Sequence, residues 1–142
     1  MSTINLMSTR QVREGTVEYD GPAKVTGPED VVGALHTLLD GRDREVFGVL
    51  ALDTANHVIG INVVSIGVLD AAPVHPREVF RWAIHAGAAS IIAFHNHPSG
   101  KATPSKEDRA ATTRLRAAGE LLAIRVLDHV VLGADGTWAS AS

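Results

Sequence analysis

Residues 90–108 read SIIAFHNHPSGKATPSKED: an apolar run, a loop rich in proline and glycine, and a helix start in immediate succession. Ser90-Ile91-Ile92-Ala93-Phe94 is predicted as a strand. If it continues, His95 and His97 turn to the same side, because side chains along a strand alternate with period two. Pro98, Gly100 and Pro104 interrupt the chain, with Asn96 and Ser99 read as shaping this loop. A helix over residues 105–118 then opens at Ser105, and from it Asp108 reaches back toward the imidazoles, with Gly119 as its stop. Donors of types N, N and O suit a catalytic zinc, which keeps its fourth position open.

The histidine pair alone is a weak sign, since the chain has seven histidines. Its place at the end of an apolar strand, in a Gly/Pro loop, strengthens it. Ser105-Lys106-Glu107-Asp108 also fits the S-x-x-[DE] capping box, which needs no metal. Asp108 is not expected to serve both a metal and the N-cap amide, so these residues by themselves leave both readings open.

Working outward, 142 residues with 45% hydrophobic and 20% charged side chains describe one domain with a sizeable core. A net charge of −3 provides no global attraction to a phosphate backbone. The absence of cysteine excludes disulfides, thiolate metal sites and a cysteine nucleophile, and with them the zinc deaminases that need P-C-x-x-C. The first residues lack the apolar core of a signal peptide, and no run approaches the roughly 20 apolar residues that span a bilayer. The expectation is a cytoplasmic protein with no membrane association.

Residues 1–13 are polar and patternless, expected as a flexible N-terminal tail, with one domain over 14–142. Within it, residues 14–25 are read as a short strand closed by a Gly21-Pro22 turn. A helix opens at Pro28, buries Val31, Val32, Leu35, Leu38 and Leu39, and ends at Gly41. Residues 45–53 and 57–67 form a hairpin, residues 76–86 a second helix, residues 121–132 the closing strands, and Thr137-Trp138 follow a turn. Strands apolar on both faces point to a central sheet covered on both sides, a three-layer α/β/α domain with a mixed sheet.

His95-x-His97, seven intervening residues and Ser105-x-x-Asp108 resemble the JAMM metalloprotease motif, also called MPN-plus. HNHPSG with VHPREVF at 74–80 and DHVVLG at 128–133 resembles the RadC family, and the likeness covers about two thirds of the chain. The resemblance implies a RadC-like JAB/MPN domain of the cytidine-deaminase-like α/β/α type. It also implies one Zn2+ per chain on His95, His97 and Asp108. Glu45, in Glu45-Val46-Phe47-Gly48-Val49-Leu50, would be the general base and Ser105 the oxyanion donor. The activity implied is amide hydrolysis of a peptide or protein substrate, as a peptidase or isopeptidase. Without the resemblance, Glu45 reads as a solvated charge beside Arg42, Asp43 and Arg44.

Two other classes compete. One is a DNA-repair-associated or mobile-element nucleic-acid-binding module using Lys101, Lys106 and Arg109. The other is a non-catalytic MPN scaffold. RadC-like proteins often carry an N-terminal helix-hairpin-helix region, for which residues 1–44 are too short, so a form with the JAB domain only is expected. The segments around the motif look compact, which argues against ubiquitin as substrate. An apolar sheet edge could pair with an extended peptide or with a second copy as a homodimer. His36, His57 and His85 are read as surface or boundary residues, and His129 as a candidate partner behind the site or half of a core pair with Asp128.

Overall fold

The strand that carries both histidines lies at the centre of a five-stranded sheet. The structure is a computed structural model, and it describes residues 1–67, 74–98 and 100–142, so Ser99 lies outside the described residues. The strands are β1 (Glu45–Leu52), β2 (Val58–Gly67), β3 (Ser90–His97), β4 (Arg125–Gly133) and β5 (Trp138–Ser140), in the order β2-β1-β3-β4-β5. All pairs are antiparallel except β3 with β4. That parallel pair needs a crossover, supplied by helix α3 (Lys106–Leu122).

Alternation along β1 and β3 divides the core. Val46, Leu50, Leu52, Ile92 and Phe94 pack with Val32, Leu35 and Leu39 of α1 (Val32–Leu39). Phe47, Val49, Ala51, Ile91 and Ala93 face the other way, onto Val79, Phe80 and Ala83 of α2 (Pro76–His85) and Leu115 of α3. This is the expected three-layer α/β/α architecture with a mixed sheet. Burying each of these side chains contributes about 1.5–3 kcal/mol for the larger ones, so a one-residue slip of either strand would exchange two well-filled layers. The odd-numbered positions of β1 and β3 belong to the α2/α3 side, which assigns Glu45, His95 and His97 to one layer.

Three local expectations are corrected. Residues 14–25 form no strand: a single bridge, Lys24 to His57, joins them to the sheet, and only Val25 is buried. Glu14, Glu18 and Asp20 leave that stretch too little apolar surface to bury. Upstream, Thr9 Oγ1 lies 3.0 Å from His85 Nδ1, and Trp82 Nε1 donates to Gln11 Oε1 at 2.9 Å.

Gly119 does not stop α3. The helix runs on to Leu122 and closes at Ala123, whose φ is +57°. Gly119 is buried because the returning chain presses on it. Its carbonyl accepts from Ile124 N–H at 2.9 Å, and a Cβ there would collide with the Ile124 carbonyl. Leu121 and Leu122 are therefore helical and exposed rather than the start of a strand. Among the described residues, no helix is long and apolar enough to cross a membrane.

Candidate metal centre

β3 does continue past Phe94. It pairs with β1 as far as Phe47–His95 and with β4 as far as His97–Gly133. His95 Nε2 and His97 Nε2 come within 3.2 Å of each other. Asp108 approaches from α3, with Oδ1 3.1 Å from His95 Nε2 and Oδ2 3.2 Å from His97 Nε2. Bonds of about 2.0–2.1 Å to a tetrahedral zinc separate its donors by roughly 3.3 Å, close to this spacing. His95 is 2% exposed and His97 24%, so the centre opens on the side of His97.

The hydrogen bonds behind the two rings test whether this set fits a metal. His97 Nδ1 lies 3.0 Å from the Lys101 carbonyl, which can only accept, so Nδ1 carries a proton and Nε2 is the nitrogen that faces the centre. His95 Nδ1 lies 2.7 Å from His129 Nε2, and His129 Nδ1 lies 2.7 Å from Thr112 Oγ1. Thr112 donates its own proton to the Asp108 carbonyl at 3.0 Å. Its oxygen is then free to accept from His129 Nδ1–H, and His129 Nε2 to accept from His95 Nδ1–H, which leaves His95 Nε2 as the nitrogen that faces Asp108 and His97. Two imidazole nitrogens and a carboxylate converge, a cluster that a cation stabilises, whether a proton shared with the carboxylate or a metal ion in its place. The donors fit zinc.

Asp108 caps its helix while its carboxylate also reaches both imidazoles, two roles the sequence set against each other. Its Oδ2 accepts from Ser105 N–H at 2.8 Å, and Ser105 Oγ accepts from Asp108 N–H at 3.0 Å, a complete capping box. A carboxylate has about four lone-pair positions, enough for the cap amide and for a further donor or cation. Burial pushes its pKa up, but hydrogen bonding and charge from His95, with the amide and hydroxyl of Ser105, outweigh this and hold it well below the usual range. Its place in the first turn of α3 also favours the ionised form.

Glu45 lines the same cleft of about 1100 Å³ as His95, His97, Ser105 and Asp108. Burial raises its pKa first of all; the charges of His95 and His97 oppose the rise and that of Asp108 adds to it. The five residues singled out from the sequence are thus gathered in one place. Phe47 covers the inner side, stacked on His95 at 6.0 Å and 12° and edge-on to His129 at 5.5 Å.

Thr112 escaped the sequence reading, and His129 was given two alternatives. Thr112 stands four residues after Asp108 and so on the same helix face, the one signal that could have found it. His129 has its pKa pushed down to about 3, by burial first and by the His95 charge next, against Asp108 and Asp128. The unfolded chain takes up this proton below the ordinary value of 6.5, the native chain only near 3. The unfolded state therefore binds more protons between those limits, and stability falls as pH falls through that window. Asp108 acts in the same direction lower down, its contribution present above 3.8 and lost as the pH drops below it. Denaturant midpoints of metal-free protein should decline from pH 6.5 toward 3, and His129→Gln should flatten the decline. An unchanged slope in that variant would remove this explanation.

Comparison with known proteins gives concordant matches. A family model described as the RadC-like JAB domain matches residues 25–142. A UPF0758 protein of Rubrobacter xylanophilus is 48% identical over 113 residues, 80% of this chain and 50% of that protein. One of Caldanaerobacter subterraneus is 51% identical over 112 residues, 79% of this chain and 48% of the relative. A third, of Staphylococcus haemolyticus, is 44% identical over 123 residues, covering 87% and 54% respectively. The chain spans about half the length of the curated relatives it matches.

Proposed function

The chain belongs to the RadC-like JAB domain family, and from that premise we propose that it is a zinc-dependent hydrolase of amide bonds, a peptidase or isopeptidase. The observation that carries this reading is the convergence of His95 Nε2, His97 Nε2 and the Asp108 carboxylate within 3.2 Å of one another, in a cleft shared with Glu45. His95, His97 and Asp108 are the residues that would hold the ion. Bound there, zinc supplies a Lewis acid that brings the ionisation of a water to a pKa of about 7.

Glu45 takes the proton from the attacking water and delivers it to the leaving amine, so that amide and water become acid and amine. A carboxylate raised by burial suits that task, because it must release the proton as well as accept it. Ser105 uses its oxygen to accept from Asp108 N–H, and its own proton turns from the Asp108 carboxylate to the carbonyl oxygen as negative charge builds there. Phe47 keeps water from the inner face of His95.

An extended polypeptide suits this cleft as substrate. One wall is the last part of β2, Val64 to Gly67, and among the described residues β2 is an edge strand with one side unpaired. Such an edge accepts a further strand through its backbone groups. The cleft's lining includes Glu45, Glu78, Glu107 and Asp108 against the single guanidinium of Arg114, which favours a peptide over a phosphate backbone. The complete donor set favours an enzyme over a scaffold that has kept only the fold.

Purified protein is expected to carry one zinc per chain and His95→Ala none. Cleavage of an unstructured peptide pool should vanish with a chelator and return with zinc. Wild-type protein that binds no zinc, or whose cleavage survives chelation, would overturn the proposal.

A further inference from the structure

Asn96 stands between the two histidines in sequence but faces the opposite way, because side chains alternate along β3. It is buried, 6% exposed. Its Oδ1 accepts from Val46 N–H at 2.6 Å and its Nδ2 donates to the Arg44 carbonyl at 3.2 Å. These groups lie on either side of Glu45. The backbone ladder between β1 and β3 ends at Phe47–His95, so at the next position the asparagine side chain takes over the bonds that the ladder no longer makes. On its other side, Glu45 pairs with Gly67, the last residue of β2.

We infer that Asn96 is a positioning residue, which holds Glu45 over the His95–His97–Asp108 centre by clamping the two peptide groups that flank it. This rests on reading Glu45 as the proton carrier. The residue type follows from the geometry. One side chain must offer an acceptor to an N–H and a donor to a carbonyl at short reach, and a carboxamide on a single methylene does both. A strand end held by few hydrogen bonds opens locally far more easily than the strand centre. Glu45 is the first residue of β1 and follows the exposed Arg42, Asp43 and Arg44. Without the clamp its backbone wanders, and a displacement on the order of 1 Å in a reacting group is enough to lose about 100-fold in rate.

The test compares Asn96→Ala and Asn96→Asp with wild type in the full chain. Asp keeps the acceptor for Val46 N–H but sets an oxygen against the Arg44 carbonyl. Zinc titration should give near-wild-type affinity for both variants, since neither removes a ligand. Hydrogen exchange should become fast at Val46 N–H in Asn96→Ala while Leu50 N–H stays slow. On a peptide cleaved by wild type, kcat should fall about 10- to 100-fold with KM nearly constant, the range typical of residues that act through a neighbour, and Asn96→Asp should fall between. A Val46 amide that stays protected overturns the inference. So does wild-type kcat in Asn96→Ala beside an inactive Glu45→Gln, or loss of zinc together with activity. Equal cleavage by wild type and Glu45→Gln overturns the proton-carrier reading instead, and the Val46 exchange alone then decides whether the clamp exists.

Discussion

Glu45→Gln is expected to keep a full complement of zinc while cleavage falls by about 100- to 10,000-fold, the usual contribution of a positioned general base. Glutamine has the shape of glutamate and keeps a carbonyl oxygen, but it cannot accept a proton and pass it on. Zinc should stay because Glu45 is not among the three groups whose donor atoms converge. Folding should be nearly unchanged or slightly favoured, because burial already disfavours the ionised carboxylate at this position. The measurements are metal content, kcat at saturating peptide and the denaturation midpoint. Cleavage within a few-fold of wild type, at equal zinc content, would take Glu45 out of the chemistry.

The central part of the fold was legible because β1 and β3 obey simple rules. Their residues are apolar at successive positions, which demands cover on both faces, and α1 on one side with α2 and α3 on the other supply it. Period-two alternation alone put His95 and His97 on a common side, and the Ser105-x-x-Asp108 spacing marked the true start of α3. Illegible features depend on contacts between distant segments. Gly119 looks like a helix stop in sequence, whereas it is small because Ile124 folds back onto it. Asn96 looks like a loop residue, and its partners stand 50 and 52 positions earlier. The chain from His95 through His129 to Thr112 joins two strands and a helix whose adjacency no local pattern encodes.

Asp108 offers the second large effect, because its capping role and its proposed role as a metal ligand can be separated by choice of replacement. In Asp108→Asn the amide oxygen can still accept from Ser105 N–H, so the capping box survives in part. The amide nitrogen then takes the place of Oδ1, beside His95 Nε2, where it occupies the lone pair that zinc would otherwise take. Asp108→Ala removes the ligand and the cap together, and losing a capping side chain costs about 0.5–2 kcal/mol. Zinc affinity should therefore fall by more than about 100-fold in both variants, beyond what removal of an outer partner costs. Only the alanine variant should have a clearly lower denaturation midpoint without metal. Adding zinc at about 100 times its dissociation constant should stabilise wild type by ~2.7 kcal/mol and neither variant. If Asp108→Asn is stabilised by zinc as strongly as wild type, the carboxylate is serving the helix alone, and the two histidines do not share a metal ion with it.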